Sequence, residues 1–195
     1  MPLGFHKATL FGVAGVSTGD VVLLHDEDYT GVTSAAITSG INSTYGEYIF
    51  KFYNINPSVD NASLAFQVNA VGESDYDEVM TTTMFQTYHD EADGSTNLGY
   101  DSSRDQAQGT AYQSFGEGIG NDADVCLVGE LHLFNPSSTT YVKHFYAYCN
   151  MVYNGDYSMG QGLGGYINTT AAIDDIDFKI SSGNFDGTIK MWGVK

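Results

Sequence analysis

Apolar and polar residues alternate with a period of two along much of this chain, and no stretch shows the three-to-four spacing of an amphipathic helix. Alternation is clearest in "VCLVGELHLF", where Leu127, Leu131 and Leu133 fall on one face and Glu130 and His132 on the other. Short runs rich in Val, Ile, Thr, Tyr and Phe, separated by Gly, Asn, Asp and Ser, predict strands near 32–39, 46–53, 63–71, 79–88, 110–115, 125–134, 140–153, 163–169, 174–181 and 187–194. The run Thr188 to Val194, following a glycine turn, reads as a paired strand that holds Ile189 and Met191 in a sheet. Ten short strands without helices between them predict an all-β fold, an antiparallel β-sandwich of jelly-roll-like type. Residues 31–195 are expected to form this single domain.

Residues 1–30 lack alternation and read as an extended N-terminal arm that docks on a partner, with Phe5, Leu10 and Phe11 as apolar anchors. Residues 89–109 form the one long irregular stretch, a functional loop or a mobile one. The turn "NPSSTT" lies midway between Cys126 and Cys149, so a symmetric hairpin would set the two thiols side by side, unbridged in a reducing cytosol. That register would turn Val142, Tyr146 and Tyr148 toward the leucines, Lys143 to the other side, and His132 and His144 to opposite faces.

Charge narrows the partners. Seven basic residues against 24 acidic ones give a formal charge of −17, which repels phosphate backbones and anionic lipid, so neither nucleic acid nor a membrane surface is expected. The carboxylates are spread over loop-like places such as "ESDYDE", "HDEAD" and "IDDID", as on a solvated surface. Calcium is the sharper alternative for such clusters, but none has EF-hand spacing, and no cofactor is expected. No segment approaches the ~20 apolar residues of a membrane span. The apolar run Ala8 to Val16 is short and broken by Gly12 and Gly15, a weak match to a signal peptide, so a soluble protein made in the cytosol is expected.

Several motifs match by letters and fail by context. "GVSTG" spells a nucleophile elbow around Ser17, but no alternation of strand and helix follows it. "GQGLGG", Gly160 to Gly165, spells a dinucleotide fingerprint followed by the strand-like "YINTT", which makes it a loop or a bulge at a sheet edge. The five histidines, His6, His25, His89, His132 and His144, have no zinc-type spacing and read as structural. Glu47, Glu78, Glu117 and Glu130 could supply a carboxylate pair for glycoside cleavage, but nothing singles one out.

The stretches "STYGEYIFKFYNINPSVDNASLAFQV", "GNDADVCLVGELHLFNPSSTTYVKHF" and "GGYINTTAAIDDIDFKISSGNFDGTIKMWGVK" carry the recognisable pieces Tyr45-x-x-Tyr48, Asn54-x-x-Pro57, Gly129-Glu130, Asn135-Pro136, Gly165-Tyr166, Ser182-Gly183-Asn184, Gly187-Thr188-Ile189 and Gly193. Over most of 33–195 the chain resembles a family of virion structural proteins common among marine tailed phages. The resemblance implies a non-enzymatic accessory component of the particle, a capsid decoration protein or a tail or fibre appendage, located in the virion. Its partners would be capsid or tail proteins and copies of itself, with a trimer favoured. The alternative is a glycan-binding host-attachment module on the same fold, with loops 89–109 and 154–163 as the site and Tyr100, Tyr112 and Tyr157 for stacking. A polysaccharide-cleaving enzyme is the third reading.

Overall fold

The computed structural model describes residues 20–195. Phe5, Leu10 and Phe11, together with His6 and Ser17, lie outside the described residues. Thirteen strands and no helix make up the described chain: β1 (Val21–Val32), β2 (Ser34–Ile37), β3 (Glu47–Pro57), β4 (Ala62–Ala70), β5 (Met80–Asp90), β6 (Thr96–Tyr100), β7 (Ala107–Gly109), β8 (Gln113–Ile119), β9 (Leu127–Phe134), β10 (Lys143–Tyr153), β11 (Tyr157–Ile167), β12 (Ile173–Ile180) and β13 (Phe185–Val194). Every pairing is antiparallel, and the main path runs β1-β13-β3-β9-β10-β8-β4-β12-β2. From β10 a branch leads through β11 to β5, which carries β6 and β7 on its far side. The path's two ends, β1 and β2, are consecutive in sequence. Only Thr33 separates them, and its carbonyl accepts a 3.2 Å hydrogen bond from Ile180 N of β12. A twisted sheet tied in this way must curl back on itself, and the result is nearly barrel-shaped.

Aromatic side chains fill the space enclosed. Phe50 of β3 lies 5.4 Å from Phe178 of β12, Phe52 of β3 lies 5.1 Å from Phe115 of β8, and Phe66 of β4 lies 5.1 Å from Phe145 of β10. These edge-on and tilted contacts, among wholly buried rings, join strands distant along the path. Across six neighbouring strands, the partners Met191, Phe50, Leu131, Ala147, Leu163 and Met84 form one inward row, all buried. The last strand is therefore interior, paired with β1 on one side and β3 on the other.

Five expectations change. Residues 21–30 belong to β1 rather than to an arm, because their unpaired backbone finds a complete partner in β13. The 89–109 segment contains β6 and β7, both hydrogen-bonded to β5. "GQGLGG" lies inside β11 between β10 and β5, away from any edge. The strand expected near 46–53 runs on as β3 through a bulge at Asn54, which adopts φ of 52°, and ends at Pro57. The central hairpin, finally, is three positions off the symmetric register. Cys149 faces Gly129, Phe145 faces Leu133, and Met151 faces Leu127. An odd shift reverses the face of every residue on one strand. Phe145, Ala147, Cys149 and Met151 therefore enter the core, while Tyr146 and Tyr148 point out beside His132 and Glu130.

Lys143 pays for that register by going inward, where it is fully buried. Its Nζ donates 3.1 Å hydrogen bonds to the carbonyls of Tyr141 and Thr169, which makes the position tolerable. Burial depresses the amine's pKa, with Glu78 pulling the other way.

Candidate functional site

The outward face of the branch containing β1, β13, β3, β9, β10, β11, β5 and β6 concentrates the apolar surface of the molecule. Nine of the twelve exposed large apolar side chains among the described residues lie on it: Val21, Leu23, Tyr53, Phe85, Leu98, Tyr100, Val128, Tyr146 and Tyr148. The ladder explains how they align. One outward row reads Leu23, Trp192, Ile49, His132, Tyr146, Gly164, Thr83, and the next reads Asp26, Lys190, Lys51, Glu130, Tyr148, Gly162, Phe85, Tyr100. The glycines of β11 serve this face. A Cβ at Gly162 would stand 2.3 Å from the Phe85 ring, and one at Gly160 would stand 2.4 Å from the Tyr148 hydroxyl, so these side chains lie flat over bare backbone.

At the centre is a charged knot. His132 Nδ1 lies 2.6 Å from Glu47 Oε1, and its ring stacks on Tyr146 at 4.5 Å with 15° between planes. Its Nε2 lies 3.4 Å from Glu130 Oε1, in ion-pair range but outside hydrogen-bond geometry. Glu130 also pairs with Lys51 at 3.2 Å, and Lys190 with Asp26 at 2.9 Å. Partial burial pushes the Glu130 carboxyl up, but the hydrogen bond and charge of Lys51, with His132 beside it, hold it below its ordinary value. His132 and His144 share this face, contrary to the symmetric register, but among the described residues no group of three or more His, Cys, Asp or Glu is placed to hold a metal ion.

A second candidate lies on the inner side of β5 and β11, beyond the part of the core covered by β4 and β8. Here the inward positions change from Met80, Met84 and Leu163 to Gln86, Tyr88, Gln161 and Met159. Two adjoining hollows of about 260 and 230 Å³ share Gln86, Tyr153 and Met159. Tyr88, Tyr153 and Tyr157 wall the first, with Tyr157 edge-on to Tyr88 at 5.5 Å and to Tyr153 at 5.9 Å. Asp101, the Arg104–Glu117 ion pair and Gln161 line the second. The turn after β5 and the turn before β11 are in contact: Glu91 N donates to Asp156 O at 3.0 Å.

Of the three tyrosines singled out by sequence, only Tyr157 lines this cleft. Tyr100 stands opposite Phe85 at the outer edge, its hydroxyl donating 2.5 Å to Asp105 Oδ2. Tyr112 donates 2.8 Å to Asp177 Oδ2 in a separate hollow shared with Lys179. Tyr157 pairs with Asp90 and Tyr100 with Phe85, five residues apart along β5, which sets them roughly 17 Å apart along the strand. Gln86, Tyr88 and Tyr153 were missed, because each reads as an ordinary strand residue, whereas Gln161 falls within the 154–163 stretch expected to be a loop of the site. The available signal was a change in inward-facing chemistry along "MTTTMFQTYHD" at constant parity.

The remaining candidates are dispersed. The four glutamates lie in three places: Glu47 and Glu130 flank His132 on the outward face, Glu117 pairs with Arg104, and Glu78 lies near Glu73. A hollow of about 930 Å³ is bounded by turns around Tyr45, Asn135 and Tyr141. Comparison with protein-family models, with curated proteins and with solved structures finds no match to this chain.

Proposed function

We propose that this chain is a non-enzymatic structural protein of a phage particle, a capsid decoration or tail-appendage component, in which copies associate through the outward face of the large sheet. The observation that carries the reading is that face: a broad apolar and aromatic surface built on paired strands, held open by the glycines of β11. Its occupant is a second copy of the chain. Two molecules of net charge −17 repel one another over most of their surface, but on this face Lys51 and Lys190 are matched by Glu130 and Asp26. Glu47 and Asp28 remain on the same face, so the apolar area coincides with charge that is partly offset. The resemblance of the strand-and-turn motifs to marine phage virion proteins supports the particle as the setting, and a jelly-roll-like layering of β8, β4, β12 and β2 over the other strands belongs to the same reading.

Light scattering on the purified chain tests the association. An oligomer is expected, a trimer in the favoured case, and Tyr148→Asp should return it to a monomer. A wild-type chain that is monomeric at every concentration examined overturns the self-association. Imaging of particles carrying a labelled copy tests the setting, and particles without label overturn it.

A further inference from the structure

The geometry points to the cleft between β5, β10 and β11 as a binding site for a single neutral sugar ring. Its first half is an aromatic wall. Tyr88, Tyr153 and Tyr157 meet edge to face, so part of their π surface is turned to the hollow and not to one another. A flat apolar surface of that size accepts the C–H face of a pyranose, which is amphipathic in the same way. The second half is a polar floor of two amides and an ion pair. Each Gln offers a carbonyl acceptor and two N–H donors side by side, a pattern that matches vicinal hydroxyls, and the Arg104–Glu117 pair adds charge-assisted bonds of both senses.

One floor residue is under-satisfied, and that is an independent indication of a ligand. Gln161 is buried, and its Oε1 accepts a 2.7 Å hydrogen bond from Glu117 N. Its Nε2, however, finds Gln86 Oε1 at 3.5 Å, the long limit, and the thioether Met159 Sδ, a weak acceptor, at 3.4 Å. A buried amide donor without a good acceptor costs free energy, and the position beside it is where a hydroxyl oxygen would recover that cost. Net charge selects among polar ligands. Asp101 and Glu117 stand beside the single Arg104, so a phosphate or a uronate would meet more negative than positive charge. A neutral polyhydroxylated ring meets no such opposition.

The site goes beyond the structural role proposed above, and its failure would leave that role standing. The test is a titration of the full chain with glucose, galactose, mannose and N-acetylglucosamine, followed by the side-chain amide signals of Gln86 and Gln161 in proton–nitrogen spectra. At least one sugar is expected to shift the Gln161 signal with a dissociation constant of ~1 mM, the affinity of a small ligand of this size. Tyr157→Ala should weaken binding about tenfold, the value of one aromatic contact. Gln86→Ala, which removes no ring packing, should weaken it in the same direction, and Tyr100→Ala should leave it unchanged. The proposal is overturned if none of the four sugars moves the Gln161 signal, or if both Tyr157→Ala and Gln86→Ala bind as the wild type does.

Discussion

Cys149 lies directly opposite Gly129 in the β9–β10 ladder, and the glycine is required there because the cysteine fills the space a side chain would take. A Cβ on Gly129 would stand 2.7 Å from Cys149 Cβ and 2.6 Å from the Tyr148 carbonyl, contacts with backbone-anchored atoms that cannot swing away. Gly129→Ala should cost about 1–3 kcal/mol in urea denaturation, the range of overpacking. Wild-type stability in that variant would mean that this register is wrong. The thiols provide a second readout of the same ladder. Cys149 is buried, its Sγ 2.8 Å from Phe115 O, and burial pushes its pKa up to about 12. Cys126 is partly exposed and should react first with a maleimide, while Cys149 reacts only on unfolding. Ready formation of a Cys126–Cys149 bridge under mild oxidation would contradict the offset.

The Tyr112–Asp177 hydrogen bond should make stability depend on pH. Burial raises the Asp177 carboxyl above its ordinary 3.8, against the Tyr112 hydroxyl and Lys179, which favour the ionised form. The folded state therefore binds this proton more tightly than the unfolded state does. Its ionisation imposes a cost that is absent below pH 3.8 and grows as pH rises through the folded value. Tyr112→Phe removes a donor to the carboxylate and should destabilise the fold by about 1–2 kcal/mol at pH 7. The difference should shrink as pH falls toward the ordinary carboxylate range. Thermal melts of both proteins across acid and neutral pH check this, and a difference that is constant with pH would show that the bond is not to an ionised group.

Self-association by the outward face predicts a graded effect of charge. Tyr146 is 45 % exposed and Tyr148 is 49 % exposed, so substituting either disturbs little of the core. Tyr146→Asp and Tyr148→Asp should each retain the wild-type circular dichroism spectrum and melting midpoint within a few degrees, while shifting the oligomer toward monomer in sedimentation. Both variants remaining fully oligomeric would remove the face from the interface.

Removal of residues 1–16 should leave the described strands in place, because β1 begins at Val21 and pairs with β13 along Val21–Val32. The truncated chain should keep its melting midpoint. If Phe5, Leu10 and Phe11 anchor the protein to a particle, it should also fail to join particles in a mixed assembly assay. Normal incorporation of the truncated chain would end that role.

The fold class was legible because period-two alternation is a local property, and the sheet keeps it at Phe50 and Phe52, at Leu131 and Leu133, and at Ile189 and Met191. The glycine turn before Thr188 was legible for the same reason, and Gly183 and Gly187 there adopt positive φ, 66° and 148°. Two parts of the candidate sites were not legible. Tyr157 could be picked out as a loop-flanking aromatic, but its companions Tyr88 and Tyr153 come from β5 and β10, and only the β11 pairings bring these strands alongside it. The aromatic outward face depended on register, which a turn of uncertain length leaves open by several residues and which differs by three from the symmetric one.

The amino-acid sequence alone determined that the chain would be built from strands, where most of them run, and that it carries a net charge of −17. Tertiary structure decided which way Tyr146, Tyr148 and Lys143 point, that β1 is a strand of the sheet, and that two glutamines and three tyrosines share a cleft. The physical reason is the range of the interactions. Alternation and turn preference act between residues a few positions apart, whereas register and strand order are settled by pairing and packing between segments up to the full length of the chain apart, as Val21 is from Val194.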